Sequence, residues 1–252
     1  MNIVVCVKQV IDTEAVIELD SAGEVVLAGQ TLVIDPYSEF AVERAVQLKE
    51  EHGGVVTLLC LGDADCASAV RHGLAMGADE AIILEDAAWR GRDAAEAAAM
   101  LAAAIEPLGA DLVMGGWKSG DTAAAQVMGR VAAILGLPLA NMATACELDG
   151  SVLRVQCEVD DGVEAAELAL PAVVAAQQGL AEPRYPSVRD VMGARRKKID
   201  MRPAEAPANG AGVAVISRTL KPARAGGRII EGDVPEAVAE TARLLAEEAK
   251  VL

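Results

Sequence analysis

Short apolar runs alternate with longer amphipathic segments along the first 136 residues of the chain. The runs at residues 3–7, 55–61, 81–84 and 112–114 are continuous and consist mainly of Val, Ile, Leu and Cys. Strands that are buried on both faces have this pattern, because neither face carries alternating polar residues. We therefore predict four strands in the interior of a parallel sheet.

Each predicted strand is followed by a segment with apolar residues at helical spacing. Gly53 and Gly77 end the first two segments, and Asp93 with Glu96 has the spacing of a capping box at the start of the third. The predicted helices cover residues 35–52, 67–76, 93–108 and 121–135. Four strand–helix units in succession favour an α/β fold with a mostly parallel, right-handed sheet and helices on both faces.

Residues 141–176 have a different pattern, in which shorter segments are separated by turn signals. Asp149-Gly150 and Asp160-Asp161-Gly162 are the clearest of these turns. We predict strands at residues 143–148, 152–158, 163–170 and 173–176 that form an antiparallel extension at the sheet edge. Nearer the N-terminus, an acidic turn at residues 20–23 predicts a short hairpin between residues 16 and 33.

The last fifty residues differ again in composition. Residues 201–212 are rich in Pro, Ala and Gly and predict a linker, and residues 221–228 predict an extended arm. A terminal helix begins at Asp233, and its apolar residues lie on one stripe. Such a helix has little of its own domain to pack on, so we predict an α/β domain at residues 1–200 and a tail at 201–252 that packs on a partner.

Charge singles out residues 182–198. The chain as a whole has a net charge of −16, yet residues 184–198 carry six basic residues and one acid. Pro183 and Pro186 favour extended conformations, so we predict a shaped loop here and not a helix. A basic run is often only solvated surface, but the interleaved Tyr185, Val188 and Met192 favour a contact surface.

Composition excludes several classes of function. Five cysteines without a Cys-x-x-Cys pair read as buried thiols of a reducing compartment, and two isolated histidines argue against a metal site or a histidine-based triad. The negative charge and 2% aromatic content oppose nucleic-acid binding. The first residues lack a signal-peptide pattern and no apolar run is long enough for membrane insertion, so we expect a cytoplasmic protein.

Ligands of open parallel sheets bind beyond the carboxyl ends of the strands, where helix N-termini offer free N–H groups. Four segments end strands and begin helices, at residues 6–9, 35–38, 61–63 and 115–127. The last, with its glycines and polar residues, is either part of a phosphate-and-ribose pocket or a tight structural turn. No nucleophile has a visible base, which argues against catalysis by side chains.

Several motifs spread over the whole chain match one family together. They are Val7-Lys8-Gln9-Val10, Asp12-Thr13, Asp35-Pro36-Tyr37-Ser38-Glu39-Phe40-Ala41-Val42-Glu43, Leu74-Ala75-Met76-Gly77-Ala78-Asp79, Leu170-Pro171-Ala172-Val173-Val174 and Glu182-Pro183-Arg184-Tyr185-Pro186. In these motifs the chain resembles the β subunit of electron transfer flavoprotein. The family's fold is similar to the predicted one: an α/β nucleotide-binding domain of the adenine-nucleotide α-hydrolase-like type, with a C-terminal arm that embraces the α subunit.

The resemblance implies electron carriage through an FAD held mainly by the α subunit, and an AMP in the β subunit's own pocket. In bifurcating relatives a second FAD takes the place of the AMP. By position, the pocket would use Cys6, Asp35, Pro36, Tyr37, Ser38, Leu61, Gly116, Trp117, Lys118, Ser119, Gly120, Asp121, Thr122, Ala123, Ala124, Ala125, Gln126 and Val127.

The basic segment resembles the loop with which the family recognises flavoprotein dehydrogenases such as acyl-CoA dehydrogenase. By position, that surface would use Glu182, Pro183, Arg184, Tyr185, Val188, Met192, Arg195 and Arg196. Glu158 matches a family acid near the subunit interface. The resemblance thus implies a heterodimer with an α subunit and a separate dehydrogenase partner, with a role in fatty acid oxidation.

Three positions depart from the family pattern. Asp35 stands where Asn is usual, which places a carboxylate near a phosphorylated ligand. Residues 121–129 carry alanines where polar residues are usual, and Val188 replaces a leucine, a loss of about one methylene or roughly 1 kcal/mol of anchoring. The leading hypothesis is a β subunit of a simple electron carrier. A bifurcating β subunit with NADH as donor and a stand-alone nucleotide-binding sensor are the alternatives.

Overall fold

The computed structural model describes residues 1–207, 210, 212–222 and 226–251. Within these ranges the chain forms eleven strands: β1 Asn2–Val7, β2 Gln9–Ile11, β3 Leu32–Ile34, β4 Val55–Gly62, β5 Glu80–Glu85, β6 Leu112–Gly116, β7 Leu139–Asp149, β8 Val152–Val159, β9 Gly162–Ala169, β10 Ala172–Ala176 and β11 Asp200–Pro203. It also forms six α-helices: α1 Pro36–His52, α2 Ala67–Met76, α3 Ala94–Ile105, α4 Val127–Leu135, α5 Val188–Arg196 and α6 Val234–Glu247.

Nine of these strands form one sheet in the order β11-β5-β4-β1-β6-β10-β7-β8-β9. All pairings from β11 through to β7 are parallel, whereas β7, β8 and β9 pair antiparallel. Helices α1 and α2 pack together, as do α3 and α4, so that each pair covers one face of the parallel part. The prediction of an α/β fold with a mostly parallel sheet is confirmed.

Burial explains why the central strands are apolar on both faces. Ile3, Val4 and Val5 of β1 are completely buried, as are Leu58 and Leu59 of β4. Alternate side chains of a strand point to opposite faces, so a strand in the middle of a sheet covered by two helical layers has no solvent-facing side. These strands form the centre of the hydrophobic core.

The hairpin predicted between residues 16 and 33 is confirmed, but its strands pair through one bridge only. Leu19 and Val25 make a single antiparallel bridge, and the Asp20 carboxylate accepts hydrogen bonds from the amides of Ala22 and Glu24 across the turn. The separate β2–β3 pair closes the base of this excursion.

The predicted extent of the antiparallel extension is wrong at its last strand. β10 lies inside the parallel sheet, between β6 and β7, and not at the edge. All five of its residues are buried, which is the pattern of an interior parallel strand. The chain forms β7, β8 and β9 at the far edge of the sheet and then returns to place β10 between β6 and β7.

The helix predicted to begin near residue 121 begins only at Val127. Ala123 and Ala125 have φ angles of 49° and 53°, in the left-handed region, and this breaks any helical run through residues 121–126. The intervening residues form an irregular loop at the end of β6. This correction matters because the loop lies in the candidate pocket.

The prediction that residues 184–198 avoid helix is also wrong, because Val188–Arg196 form α5. Ser187 and Asp190 make a capping box, in which the Ser187 hydroxyl accepts from the Asp190 amide and the Asp190 carboxylate accepts from the Ser187 amide. The extended conformation that Pro183 and Pro186 favour is therefore confined to the residues before the cap.

The predicted linker at residues 201–212 is shorter than expected. Its first residues belong to β11, which pairs in parallel with β5 and forms one edge of the large sheet. Pro203 is the last residue of this strand, where its missing amide proton costs no interior hydrogen bond. Of the arm predicted at residues 221–228, residues 223–225 lie outside the described residues; the described ones make no regular structure before α6.

Candidate functional site

The candidate pocket lies where neighbouring parallel strands end. β1 has β4 on one side and β6 on the other, so the ends of these three strands bring together Cys6, Leu61 and Gly116. The chain passes from β1 to β4 and β5 on one side, and later to β6 on the other. The site therefore sits at the switch point of the sheet, where open α/β sheets bind their ligands.

Asp35 connects the two segments that flank the switch point. Its side chain caps α1 by accepting from the amides of Tyr37 at 3.1 Å and Ser38 at 3.2 Å, and its other oxygen accepts from the Gly120 amide at 2.7 Å. Asp35 is only 1% exposed. Burial raises the pKa of its carboxyl above the ordinary value, against the opposing hydrogen bonds from Gly120 and Ser38.

Lys8, which follows β1, makes a second connection to the same loop. Its ammonium group donates to Asp121 at 2.7 Å and to the Ser119 hydroxyl at 3.2 Å. Burial raises the pKa of Asp121, but the charge and hydrogen bonds of Lys8 outweigh it and hold the pKa below the ordinary value. Lys8 belongs to the strand-end segment 6–9 predicted from the sequence, although the family resemblance implies only Cys6 of that segment as a pocket residue.

The loop between β6 and α4 has an unusual backbone conformation. Ala123 and Ala125, with positive φ, alternate with residues outside that region, a backbone pattern typical of anion-binding concavities. Gln126 is the N-cap of α4 and its side chain makes no capping hydrogen bond there. Ser119 and Thr122 hydroxyls lie 3.0 Å apart at the start of the loop. The amides of Thr122 and Ala123 are bonded within the loop, to the Asp121 carboxylate and to the Ser119 carbonyl.

An aromatic pair lines one side of this loop. The rings of Tyr37 and Trp117 meet edge to face at 5.9 Å, and the Lys118 ammonium lies 4.5 Å from the Trp117 ring centroid. Gly116 is required here, because a Cβ at this position would lie 2.6 Å from the Tyr37 Cβ. The glycine thus lets α1 approach the strand end.

Trp117 is held from the other side by Gln177, which sequence analysis did not single out. The indole N–H donates to the Gln177 side-chain oxygen at 2.9 Å, and the Gln177 amide nitrogen donates to the exposed Glu158 at 2.8 Å. Gln177 directly follows β10. Because β10 was predicted at the sheet edge and not beside β6, the sequence did not predict the contact between Gln177 and Trp117. Glu158, the predicted interface acid, is therefore linked to the pocket wall.

Cys6 and Leu61 lie near the carboxyl ends of β1 and β4, and both are buried. Burial raises the pKa of the Cys6 thiol to about 12, so this thiol stays protonated at neutral pH. All five cysteines are buried and free, as the sequence predicted. Neither Cys6 nor Leu61 carries a charge at neutral pH, so these residues can offer a ligand only shape and apolar contact.

The predicted recognition surface is the outer face of α5 and the segment before it. Tyr185 is 98% exposed and Val188 79% exposed, and Met192 lies one turn beyond Val188. Arg195 and Arg196 are exposed at the end of the helix, and Glu182 and Pro183 lie on the approach to it. Apolar and basic side chains thus share one solvent-facing surface, which we call the α5 surface.

Arg184 has a different role from its neighbours in the basic segment. Its guanidinium group binds Glu43 at 2.9 Å and Glu50 at 2.7 Å, both on α1. The pKa of Glu43 lies below its ordinary value, because the hydrogen bonds and charge of Arg184 outweigh burial, which raises it. Arg184 therefore fixes the start of the α5 surface to the body of the protein, and its charge is already paired.

The other end of α5 is fixed by Arg71 of α2. This side chain donates to the backbone carbonyls of Ala194 at 2.9 Å and of Arg195 and Lys197 at 3.3 Å. Carbonyl groups at a helix C-terminus lack intrahelical partners, and a cation there also complements the helix dipole. With Ala194 buried against α2, the helix is held at both ends while its outer face stays exposed.

The C-terminal segment contacts the rest of the chain at two places before α6. Asp93, the N-cap of α3, accepts from the amides of Gly212 and Val213, and Arg218 pairs with Glu24 at 2.7 Å. No residue of α6 is buried. Among the described residues there is also no cluster of three His, Cys, Asp or Glu side chains suited to a metal ion, and no helix with the length and apolarity to span a bilayer.

Comparison with known proteins supports membership in one family. The model of the electron transfer flavoprotein domain matches residues 23–207. Electron transfer flavoprotein subunit beta of Syntrophomonas wolfei is 41% identical over 243 residues, with 95% of this chain and 93% of the relative covered. The proteins of the same name from Bacillus subtilis and Clostridium acetobutylicum are 33% and 35% identical, with 98% or more of both chains covered in each pair. The motifs, the fold and these matches agree: the chain belongs to the electron transfer flavoprotein β-subunit family.

Proposed function

We propose that the chain is the β subunit of a heterodimeric electron carrier. In this proposal an α subunit holds most of an FAD, the strand-end pocket of this chain holds a structural adenine nucleotide, and the α5 surface meets flavoprotein dehydrogenases. The observation that carries the proposal is the uncovered apolar surface of the C-terminal segment in a chain of this family.

That surface includes one face of α6. Val234 is 76% exposed and Val238 61% exposed, and Leu245 lies two turns beyond Val238 on the same face. On the opposite side of the helix the charged residues pair with one another, since Arg243 forms ion pairs with Glu240 and Glu247. A helix with an apolar stripe and no covering element is the usual form of a helix that packs on another protein.

The residues of the pocket fit a phosphorylated adenine nucleotide. The loop at residues 121–126 leads into the start of α4, where the helix dipole favours an anion. Tyr37 and Trp117 offer aromatic surface beside it, and Gly116 lets α1 bring Tyr37 close to the strand end. We therefore assign phosphate contact to this loop and base or ribose contact to the aromatic wall.

In this proposal the FAD supplies the redox chemistry. The residues of this chain bind the nucleotide and position the contact surfaces. Gln177 holds Trp117 against the pocket and Glu158 at the edge toward the predicted interface, while Arg184 and Arg71 hold the α5 surface. The proposed division is thus between cofactor chemistry on the α subunit and partner selection on α5.

Co-expression with an electron transfer flavoprotein α subunit tests the proposal. We expect a stable heterodimer that releases one AMP and one FAD when denatured. Two FAD per heterodimer would favour the electron-bifurcating alternative with NADH as donor. A chain that stays monomeric and binds nucleotide alone would contradict both and favour the sensor alternative.

A matched pair of variants separates the two interfaces. Val238→Asp places a charge on the apolar face of α6 and should abolish heterodimer formation, while Arg243→Asp alters the opposite face and should not. Size-exclusion chromatography with mass detection reads out the result. Equal effects of the two variants would contradict the assignment of the apolar face as the contact surface.

A further inference from the structure

Cys60 and Cys66 form a pair of thiols that the proposed function does not use. Cys60 lies in β4, and Cys66 is the last residue of a single helical turn at Ala64–Cys66. A Cβ at Gly62 would collide with the Cys66 sulfur and would lie 3.8 Å from the Cys60 sulfur. Because Gly62 has no side chain, the two sulfur atoms can share the small space beside it.

The other three cysteines are placed differently. In the register of β1 and β4, Cys6 lies beside Leu59, so its side chain points to the opposite face of the sheet from that of Cys60. Cys146 on β7 and Cys157 on β8 are not opposite each other in the antiparallel pairing. Among the five cysteines, all of which the structure describes, the pair at the end of β4 is the arrangement that favours a disulfide.

The two thiols of the pair differ in acidity. The hydrogen bond from the Cys60 thiol stabilises the Cys66 thiolate, so the pKa of Cys66 lies below its ordinary value although burial raises it. The same hydrogen bond, together with burial, raises the pKa of Cys60. The thiolate is the nucleophile in cysteine chemistry, so Cys66 is the reactive thiol of the pair and Cys60 is the resolving thiol.

The turn that carries Cys66 gives a small oxidant a way to the pair. Both sulfur-bearing residues are buried, but Ala64 and Asp65, which directly precede Cys66, are exposed. The Asp63 carboxylate holds this turn by accepting from the Asp65 amide at 3.0 Å. A single turn at the surface opens at a much lower cost in free energy than the core. Local opening of residues 63–66 therefore exposes Cys66 while the sheet stays folded.

We propose that Cys60 and Cys66 are a site of reversible oxidation, at which hydrogen peroxide converts the two thiols to an intramolecular disulfide. The Cys66 sulfur attacks one peroxide oxygen, the O–O bond breaks, and a sulfenic acid and one water form. The Cys60 sulfur then attacks the sulfenic sulfur, the S–S bond forms, and a second water leaves with the remaining thiol proton. Two thiols are oxidised and one peroxide is reduced to two waters, and a thiol reductant reverses the change by disulfide exchange.

Mass spectrometry of the full-length protein tests the site. The folded protein is treated with hydrogen peroxide at neutral pH, its free thiols are blocked with N-ethylmaleimide in denaturant, and it is digested with trypsin. No Lys or Arg lies between Lys49 and Arg71, so both cysteines fall in the peptide 50–71. We expect this peptide to lose two hydrogen masses and to take no maleimide. The untreated protein, and the oxidised protein reduced with dithiothreitol, should take two maleimides there.

The wild-type digest contains its own control, so the test does not depend on the folding of a variant. Cys146 is the single cysteine of the tryptic peptide 131–154 and should keep its maleimide under the same treatment. Cys60→Ser should abolish the disulfide and let Cys66 oxidise further to a sulfinic acid, whereas Cys146→Ser should leave the result for peptide 50–71 unchanged. Two maleimides on the wild-type peptide 50–71 after peroxide treatment would overturn the inference. A loss of two hydrogens that persists in Cys60→Ser would overturn it as well.

Discussion

Truncation of Arg184 should destabilise the protein far more than truncation of an exposed arginine. Arg184 is the only basic residue of the segment 184–198 for which the described structure records ion pairs to α1. Its guanidinium nitrogens and its amide make five hydrogen bonds to Glu43 and Glu50. Arg184→Ala removes the four that involve the side chain and leaves Glu43 without its cation.

The magnitude follows from the burial of Glu43, whose side chain is 3% exposed. Breaking a buried ion pair by removing one partner costs about 3–5 kcal/mol. Arg184 itself is 36% exposed, so water reaches the vacated position and screens the remaining carboxylate. We therefore expect Arg184→Ala to lower the free energy of unfolding at pH 7 by about 2–3 kcal/mol.

The pH dependence has a definite sign. In the wild type the pKa of Glu43 is depressed in the folded state, so the pair stabilises the protein above the ordinary glutamate pKa, and this stability is lost as the pH falls through the folded value. In Arg184→Ala only burial and the Gln47 hydrogen bond act on Glu43, and burial raises its pKa. Protonation of Glu43 then removes the unpaired buried charge from the variant. The difference in unfolding free energy between the wild type and Arg184→Ala should therefore shrink as the pH falls from 7 to 4.

Urea unfolding followed by circular dichroism measures both effects. Arg154→Ala is the matched control, because Arg154 also bridges two carboxylates, Asp149 and Glu167, but is 56% exposed. We expect its loss to cost less than about 1 kcal/mol. A change below about 0.5 kcal/mol for Arg184→Ala, or equal changes for the two variants, would refute the reasoning.

Three further substitutions test other contacts. Val188→Glu changes a side chain that is 79% exposed, so it should slow electron transfer from a dehydrogenase while leaving FAD content unchanged; loss of FAD would mean that the α5 surface is structural. Gly116→Ala places a Cβ 2.6 Å from that of Tyr37, so it should cost about 1–3 kcal/mol in thermal unfolding and weaken AMP binding, and a neutral result would contradict the required close approach. Ser187→Ala removes half of the α5 capping box and should cost about 1 kcal/mol, visible as faster amide hydrogen exchange at the start of α5; unchanged exchange there would contradict the role of the cap.

The parallel core could be predicted because its signal is local. Residues 3–7 and 55–61 are apolar on both faces, and only a strand in the interior of a covered sheet needs that composition. The first helix could be placed because Asp35, Pro36 and Gly53 mark its two ends. In these segments, local propensity and final burial agree.

The features that the sequence did not predict depend on contacts between distant residues. β10 has the composition of any buried strand, and only the pairing with β6 and β7 tells an interior place from an edge. Gln177 became visible as a contact of Trp117 once that place was known. The capping box of Ser187 and Asp190, in contrast, is visible in the sequence. There the cap outweighs the extended conformation that the neighbouring prolines favour.

One helix connects the two proposed functions of this chain. The N-terminus of α1 carries Asp35 at the pocket, and its later turns carry Glu43 and Glu50, which hold Arg184 and with it the start of the α5 surface. The rise of an α-helix separates Asp35 from Glu50 by about 22 Å. In the proposed function, a nucleotide at one end of α1 would lie too far away to touch a dehydrogenase at the other, but it would stabilise the folded state of the helix that positions the α5 surface. A redox-inactive ligand such as AMP would serve that purpose, because the α5 surface would need a fixed helix from the pocket and not an electron.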